Sequence, residues 1–523
     1  MSQPTLSRRA FNAALSAAPL LVKARSLHAQ SSSDTRVRID TGRVIGEIDP
    51  KIYGNFTEHL GRCIEGGIFE PNSPLSDKFG FRKDVLHAVE DLHVGLLRWP
   101  GGNFSSNYNW RDGIGPVAER PARVEMAWGT VEDNRFGTNE FLHYCDVVKT
   151  KPYICANLGT GTWDEAQQWV EYCNYPEGTA MTKLREKNGR KDPWGVKYWG
   201  LGNEMDGPWQ MGHRSAEDYG KFALEAAKLM KWTDSSIKLI AAGSSNFGPG
   251  ANWVQWNSTV LGYLKNHADY LSMHTYVGNP KNDYYDFVAV STELTGRTKI
   301  GEGIIRAAMA DTDKRNMYIA WDEWNVWYRE RGNGKETGRR ILEEHYNLED
   351  ALVVATFLNV FVNNSHIVKI ANMAQLVNVI APIFTNEKGL YLQTIYYPLQ
   401  LFAANTSGKS LELLVEGPTY SNPRFGAVPY LDISVALDNG KMVLNVVNRH
   451  QTEPQSAAFE LEDGKTFSGA FEVVEVNGPD IKSQNDFGSN PVKPVTKSAA
   501  ASGSTLRYSF PAHSYTMLKG SVG

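Results

Sequence analysis

The stretch Tyr198-Trp199-Gly200-Leu201-Gly202-Asn203-Glu204-Met205 is a short apolar run that ends in an amide and a carboxyl side chain. A run of this length between glycines is typical of a buried strand in a parallel sheet. Because α/β barrels carry their chemistry at the carboxyl ends of such strands, Glu204 is a candidate general acid. One carboxyl after one strand is equally compatible with a solvated loop acid, so the other strand ends decide between these interpretations.

Short apolar segments alternate with amphipathic stretches between about residues 50 and 395. The alternation predicts β-then-α units and a parallel sheet. The predicted strands are 52–56, 95–99, 153–157, 197–202, 239–243, 270–275, 318–322 and 368–373. Eight such units predict an α/β fold, a (β/α)8 TIM barrel. Three long segments, 104–136, 246–268 and 277–298, follow predicted strands and are expected to wall one mouth.

The helical signal fades after about residue 395, and strands alternate around the hairpin turn Asn439-Gly440. We therefore predict a catalytic barrel over 50–395 and a C-terminal antiparallel β-sandwich, jelly-roll-like, over 396–523. Residues 31–49 have no strand partner in a barrel, so these N-terminal strands are expected to join the sandwich. Residues 478–503 are polar and rich in Gly, Ser and Pro, which favours a surface loop.

Composition narrows the class of partner. The chain has 523 residues, of which 41% are hydrophobic and 21% charged, with a net charge of −4. No long basic run occurs, which argues against nucleic acid as the main partner. No segment reaches the length of about 18 apolar residues that suggests a membrane span. The four cysteines show no zinc spacing and are expected to be buried free thiols.

The first thirty residues differ in kind from the rest. Ser7-Arg8-Arg9 precedes a mildly apolar Ala/Leu-rich run at 13–22. This pattern resembles a twin-arginine signal peptide over residues 1–30, so we expect a periplasmic or secreted protein. A disordered tail is the alternative.

Polar side chains recur at the ends of the predicted strands. They include Glu58 and His59 after strand one, Asn103 after strand two, Asn157 after strand three, His274 and Tyr276 after strand six, and Gln375 after strand eight. Carboxylates and amides beside aromatic rings suit a neutral polyol such as a sugar. We find no nucleophile elbow and no HExxH zinc motif, so no metal is expected. The segment 157–162 hints at a phosphate loop, but Asp164 replaces the third glycine.

Two glutamates stand out at these ends: Glu204 after strand four and Glu323 after strand seven. Glycoside hydrolysis needs two carboxyl groups that flank the scissile bond, one of them protonated. Trp321, Trp324 and Trp327 surround Glu323 in the sequence, so apolar surroundings are available to that carboxyl as well. Composition does not tell which glutamate carries the proton.

Several segments together resemble α-L-arabinofuranosidases of glycoside hydrolase family 51, which are clan A retaining glycosidases. These segments are YGNFTEHLGR at 53–62, RWPGGNFSSNY at 98–108, YWGLGNEMDGPWQ at 198–210, HTYVGN at 274–279, DEWNVWY at 322–328 and MAQLVNVIAPI at 373–383. The resemblance covers about residues 40–400 and is looser in the sandwich.

The resemblance implies an exo-acting hydrolase that releases terminal α-L-arabinofuranosyl residues from hemicellulose or pectin side chains and oligosaccharides by double displacement. It assigns Glu204 as acid/base and Glu323 as nucleophile. The residues implied to hold the sugar are Glu58, Asn103, Asn203, His274, Tyr276, Trp327 and Gln375. It also implies no cofactor and a homo-oligomer such as a hexamer.

Other residues receive structural interpretations. His274 could instead be a core histidine, and His59 is expected to support the site from behind. Glu65, Glu70 and Asp322 are interpreted as structural or peripheral, and the pair Glu343-Glu344 as a solvated helix face. Trp99 departs from the family pattern before Pro100, so it could narrow the site.

Two alternatives stay open. One is a clan A enzyme of other specificity, such as an endoglucanase or a β-xylosidase. The other is a non-catalytic carbohydrate-binding protein on a barrel scaffold.

Overall fold

The sheet at the centre of the molecule is a closed barrel of eight parallel strands. The computed structural model describes residues 34–248, 250–312, 316–331 and 340–523, so the predicted signal segment lies outside the described residues. In chain order the strands are β1 (Asp34–Glu47), β2 (Gly54–Phe56), β3 (Leu96–Trp99), β4 (Arg123–Glu125), β5 (Thr130–Glu132), β6 (Lys151–Ala156), β7 (Tyr198–Leu201), β8 (Lys238–Ala241), β9 (Tyr270–Val277), β10 (Tyr318–Val326), β11 (Val368–Ala374), β12 (Ile383–Asn386), β13 (Gly389–Leu392), β14 (Lys409–Glu416), β15 (Thr419–Asn422), β16 (Gly426–Pro429), β17 (Leu431–Asp438), β18 (Lys441–Asn448), β19 (Gln455–Leu461), β20 (Phe467–Asn477), β21 (Lys493–Ser502), β22 (Thr505–Phe510) and β23 (Ser514–Val522).

Helices cover the outside of this sheet. They are α1 (Lys83–Asp91), α2 (Thr138–Val147), α3 (Trp163–Asn174), α4 (Ala180–Lys187), α5 (Ala216–Thr233), α6 (Trp253–Leu264), α7 (Tyr284–Phe287), α8 (Ser291–Met309), α9 (Leu348–Asn363) and α10 (Tyr396–Asn405).

The barrel closes in the order β10-β11-β2-β3-β6-β7-β8-β9. Each of the eight predicted strands overlaps one of these strands, so the predicted α/β barrel is confirmed. The alternation was readable because parallel strands are buried on both faces and appear in a sequence as continuous apolar runs.

β7 shows how the barrel presents a side chain at its mouth. Trp199 and Leu201 are fully buried, and β7 pairs with β6 and β8 on its two sides. Beyond the strand the backbone of Glu204 adopts a left-handed conformation with φ of 43°. For a residue with a side chain this costs about 1–2 kcal/mol, so the surrounding fold holds Glu204 in place.

The second sheet contains the C-terminal strands and β1, in the order β1-β14-β17-β18-β23-β20-β21-β22-β19. The N-terminal strand therefore joins the sandwich, as the predicted fold class requires. Its pairing with β14 is antiparallel, but its pairing with β19 is parallel. Val37 and Ile39 of β1 lie fully buried in the core of this sheet.

The predicted loop over 478–503 is partly wrong, because residues 493–502 form strand β21. β21 pairs with β20 along its length and with β22 at its end. Its side chains are mostly exposed, which explains why the sequence carries no alternating apolar signal there.

Helix α9 joins the two sheets. Its residues are buried on every side, as expected for a helix that is apolar all round. Asn359 Nδ2 donates to Asp432 Oδ1 at 2.7 Å, and Ser434 Oγ donates to Asn359 Oδ1 at 2.6 Å. The barrel and the sandwich therefore share buried polar contacts as well as apolar packing.

The three predicted mouth loops carry regular structure. The first contains the hairpin β4–β5, the second contains α6, and the third contains α7 and the start of α8. Side chains from all three reach the mouth of the barrel: Trp128, Phe247 and Arg297. Among the described residues, no helix is both long and apolar enough to cross a membrane. All four cysteines are buried and unpaired, as predicted.

Candidate active site

A cavity of about 580 Å³ opens at the carboxyl ends of the barrel strands. Eight residues that the sequence singled out line it: Glu58, Asn103, Glu204, His274, Tyr276, Glu323, Trp327 and Gln375. These positions are far apart in the chain, and the barrel brings them together because parallel strands end at one face.

Glu204 and Glu323 face each other across this cavity. One oxygen of each carboxyl lies within 4.8 Å of the other and of a ring nitrogen of His274. Carboxyl groups about 5–5.5 Å apart are typical of retaining glycosidases, whereas inverting enzymes need about 6.5–9.5 Å.

Arg98 is a site residue that the sequence interpretation missed. Its Nη1 donates to Glu323 Oε1 at 2.6 Å, and its Nη2 donates to Asn203 Oδ1 at 2.6 Å. Burial alone would lower the pKa of Arg98, but Glu323 and Asp322 outweigh it and raise that pKa well above the ordinary value. A buried guanidinium therefore lies directly against the Glu323 carboxyl group. The signal was present, since an arginine inside a buried strand needs a carboxylate partner.

His274 lies between carboxylates. Its Nδ1 is 2.9 Å from Glu204 Oε1 and 3.6 Å from Glu323 Oε2, while its Nε2 is 3.4 Å from Asp322 Oδ1. Burial favours a lower pKa for His274, but Glu323, Asp322 and Glu204 raise it well above the ordinary value. The surrounding carboxylates therefore favour the protonated form of His274.

Glu204, His274 and Glu323 are also close enough together to be ligands of one metal ion. A ligating histidine must offer a neutral nitrogen with a free lone pair. Both ring nitrogens of His274 already face carboxylates, so a metal ion would have to compete with these contacts.

Tyr276 and Trp327 form one wall of the cavity. Tyr276 Oη donates to Glu323 Oε2 at 2.9 Å, and burial together with Glu323 raises the pKa of Tyr276 well above its ordinary value. The phenol is therefore a donor in the working pH range. Trp327 packs edge-on against Tyr276 with ring centroids 5.3 Å apart.

Glu58 and Gln375 line another part of the cavity and contact each other. Glu58 accepts from Phe104 N at 3.0 Å, from Gln375 Nε2 at 2.9 Å and from Trp128 Nε1 at 3.3 Å. A Cβ at Gly102 would lie 2.8 Å from both Glu58 oxygens, so only glycine fits there. Burial, with help from the charge of Glu323, raises the pKa of Glu58 to about 8.

Asn203 lies behind the cavity wall and is absent from its lining. Its Oδ1 accepts from Arg98, and its Nδ2 donates to Gln210 Oε1 at 3.3 Å. Asn103 lines the cavity directly.

Trp209 lines the cavity, and the sequence interpretation missed this residue as well. Its Nε1 donates to Glu204 Oε2 at 2.6 Å, and about half of its surface is exposed. Its position five residues after Glu204, beyond the Gly207-Pro208 break, gave no periodic signal.

Trp99 does not narrow the site, because it is fully buried outside the cavity lining. Its ring stacks on Phe141, and its Nε1 donates to His59 Nε2 at 3.1 Å. His59 Nδ1 lies 2.9 Å from Glu132 Oε2, so His59 ties the hairpin β4–β5 to the end of β2.

The solvated-face interpretation of Glu343-Glu344 is wrong. Glu344 is fully buried and accepts from the backbone N–H groups of Tyr328 and Arg329. Glu343 Oε1 accepts from Arg62 Nε at 2.6 Å. The sequence shows only two adjacent charges. In the structure, the Glu344 carboxyl group lies against the backbone that directly follows Trp327.

The three acids interpreted as structural or peripheral all have partners. Glu65 pairs with Arg135, Glu70 pairs with Arg82, and Asp322 accepts from Tyr153 Oη at 2.7 Å. Asp322 is fully buried, and its pKa is lowered because His274 and Arg98 outweigh the effect of burial.

A barrel whose mouth holds two opposed carboxyl groups defines the class of the glycoside hydrolases. Two family models match the chain: the α-L-arabinofuranosidase 1 domain over residues 88–290 and the α-L-arabinofuranosidase C-terminal domain over residues 322–514. The chain belongs to the α-L-arabinofuranosidases of glycoside hydrolase family 51.

Individual relatives agree with this family. The intracellular exo-α-(1→5)-L-arabinofuranosidase 1 of Bacillus subtilis is 41% identical, over 89% of this chain and 94% of the relative. The intracellular exo-α-(1→5)-L-arabinofuranosidase of Halalkalibacterium halodurans is 42% identical, over 84% and 88%. The crystal structure of a family 51 α-L-arabinofuranosidase from Bifidobacterium longum has a TM-score of 0.88 at 32% identity and covers 93% of this chain and 99% of its own.

The predicted export to the periplasm or medium is contradicted by these relatives. The Bacillus and Halalkalibacterium proteins are both named intracellular. The Arg8-Arg9 pair before a weakly apolar run is a short pattern, and such a pattern also occurs by chance.

Proposed function

We propose that Glu323 is the nucleophile and Glu204 the general acid/base with which this α-L-arabinofuranosidase releases terminal arabinofuranosyl units. The observation that carries the proposal is the separation of the two carboxyl groups, within 4.8 Å between their nearer oxygens. This separation suits double displacement with retention of configuration.

The charges support this division of roles. Glu323 accepts from Arg98 and Tyr276, and both contacts favour a carboxylate that attacks carbon. Glu204 is less buried and lies beside the half-exposed Trp209, on the side from which a leaving group can depart.

The reaction then runs in two steps. Glu323 forms a bond to the anomeric carbon while Glu204 gives its proton to the glycosidic oxygen, and the alcohol leaves. Glu204 next takes a proton from water, whose oxygen attacks the same carbon and displaces Glu323. Arabinose leaves with its original configuration.

The sugar-holding residues are proposed as a set. Glu58, Asn103, Gln375 and Tyr276 offer donors and acceptors to the furanose hydroxyls, and Trp327 offers a flat apolar face. Gln375 Oε1 is buried and has no hydrogen-bond partner within the described ranges, so it is available to a hydroxyl. Asn203, which is absent from the lining, would act by holding Arg98 in place, and His274 would act by orienting both glutamates.

We further propose α-(1→5)-linked arabinofuranosyl chains, as in hemicellulose or pectin side chains, as the substrate class. The names of the Bacillus and Halalkalibacterium relatives support this linkage. The barrel over 50–395 would act as the catalytic domain and the sandwich over 396–523 as its support. A homo-oligomer such as a hexamer is proposed as well, and light scattering tests it.

Two variants test the roles of the glutamates. Glu204→Gln should lose about 10²–10⁴ in rate on arabino-oligosaccharides. A dinitrophenyl arabinofuranoside, whose leaving group needs no proton, should still release dinitrophenol in a fast first burst, followed by slow turnover because the second step lacks its base. Glu323→Ala should lose both activities. The exposed Glu387 provides a control, since Glu387→Gln should change neither. Equal losses in the first step on both substrates in Glu204→Gln, or activity retained in Glu323→Ala, would overturn the assignment.

The same assay separates the alternatives. Turnover of xylosides or cello-oligosaccharides alone would favour an endoglucanase or a β-xylosidase. Binding of arabinan with no sugar released over hours would favour a non-catalytic protein.

A further inference from the structure

A second cavity lies on the same face of the barrel as the active site. It has a volume of about 770 Å³ and is lined by residues that follow β6 and β7 or begin α5: Trp163, His213, Arg214, Ser215, Asp218, Lys221, Phe222 and Glu225. Nothing in the proposed mechanism uses it.

The apolar part of this cavity is an aromatic platform. Trp163 is 41% exposed although it begins helix α3, and its ring lies 5.6 Å from that of Phe222. The guanidinium of Arg214 lies 4.3 Å from the Phe222 ring centroid. A flat ring flanked by a second ring and by hydrogen-bonding groups is the surface on which sugars stack.

The polar part is balanced in charge. Arg214 and Lys221 offer cations, Asp218 and Glu225 offer carboxylates, and Ser215 offers a hydroxyl. An anionic ligand such as a phosphate would meet both carboxylates at close range. A neutral polyhydroxylated ligand meets donors and acceptors in similar number, so the chemistry favours a sugar chain.

One loop connects the two cavities. It runs from Glu204, through Trp209 in the wall of the active site, to His213 and Arg214 in the second cavity. Arg214 N donates to Met205 O at 2.9 Å, which closes the loop on itself. Different parts of this one loop therefore line the two cavities, on the side of Glu204.

We propose that the Trp163 cavity binds arabinofuranosyl units of the leaving-group chain that lie several sugars away from the cleaved bond. The proposal rests on the arabinofuranosidase function and adds a preference for long chains. The binding would lower the apparent KM for polymer and long oligosaccharides without touching the chemical step.

The test compares Trp163→Ala with the parent enzyme on α-(1→5)-arabino-oligosaccharides of increasing length and on an aryl arabinofuranoside. We expect kcat/KM to fall about threefold to tenfold on the longest substrates, mostly through KM. Rates on the disaccharide and the aryl substrate should change less than twofold. Trp163→Phe should fall between the two, since it keeps a smaller ring.

Trp232 gives a matched control. It is 76% exposed and lies in the last turn of α5, whose first turns form the second cavity. The rise of a helix places it about 20 Å or more from Asp218. Trp232→Ala should leave all length dependence unchanged.

Binding is measured separately with linear arabinan in the inactive Glu323→Ala background, where Trp163→Ala should weaken affinity by a similar factor. A length dependence that Trp163→Ala does not alter would overturn the proposal. So would a change of oligomeric mass in that variant, which would make the cavity a contact between copies. Failure of the parent enzyme to cleave the aryl arabinofuranoside would instead refute the proposed function.

Discussion

Arg98 and Glu323 form a fully buried ion pair, with 2.6 Å between Nη1 and Oε1. The same guanidinium also donates to Asn203, the residue that precedes Glu204 after β7. One side chain of β3 therefore links Asn203 to Glu323 in β10. The two glutamates are therefore positioned relative to each other through a third residue.

Removal of this cation should damage both stability and activity. Arg98→Met leaves the buried Glu323 and Asp322 with His274 as their remaining basic neighbour. We therefore expect about 3–5 kcal/mol loss in the free energy of unfolding. Urea denaturation and kcat/KM measure the two effects. Arg98→Lys keeps the charge but cannot reach both partners, so it should recover stability better than activity. A stability of Arg98→Met within 1 kcal/mol of the parent, roughly the scale of a surface pair, would contradict this.

Glu58 should make stability depend on pH. Burial raises its pKa to about 8 in the folded protein, against about 4.3 in an unfolded chain. The folded state thus binds the extra proton between these values, and stability falls as pH rises towards 8, by at most about 1.4 kcal/mol per pH unit.

The variant Glu58→Gln has no such proton, so its stability relative to the parent should improve from pH 5 to pH 8 in urea denaturation. The exposed control Glu387→Gln should show no such trend. A parallel pH dependence in Glu58→Gln and the parent would show that Glu58 is ionised throughout.

Glu344 should act on substrate binding from behind the cavity wall. Its carboxylate accepts from Tyr328 N at 3.2 Å and from Arg329 N at 3.3 Å, directly after Trp327. Glu344→Ala leaves two N–H groups without an acceptor, which costs about 1–3 kcal/mol of stability. Because the Trp327 wall loosens, KM for an aryl arabinofuranoside should rise about threefold to tenfold, with kcat less affected.

The neighbouring variant Glu343→Gln serves as the control, since Glu343 contacts Arg62 and leaves the Trp327 loop untouched. An unchanged KM in Glu344→Ala would show that the Trp327 loop holds its position without this carboxylate.

Trp99 should matter for stability and leave substrate choice unchanged. Trp99→Phe removes the donor to His59 and leaves a void beside Phe141, so we expect about 1–3 kcal/mol loss in unfolding free energy. The ratio of kcat/KM between aryl arabinofuranoside and aryl xyloside should stay within twofold. A clear shift in that ratio would restore Trp99 as a specificity residue.

Local sequence patterns predicted the fold, but they did not show which side chains contact each other across the barrel. Glu58, Glu323 and Gln375 were predicted as site residues because each lies at the end of an apolar run. Arg98 lies within such a run, and nothing near it in the chain names its partner 225 positions away. Trp209 lies beyond a turn whose geometry the chain order does not specify.

The sequence by itself determined the eight strands and the face on which the carboxyl groups meet, because strands buried on both faces appear as continuous apolar runs. Its motifs indicated the family. Only the tertiary structure decided which charges pair, that Trp99 and Glu344 face the interior, and how close Glu204 and Glu323 approach. Those outcomes depend on contacts between residues that lie from 15 to 225 positions apart, and their energies depend on burial, which no local window of sequence contains.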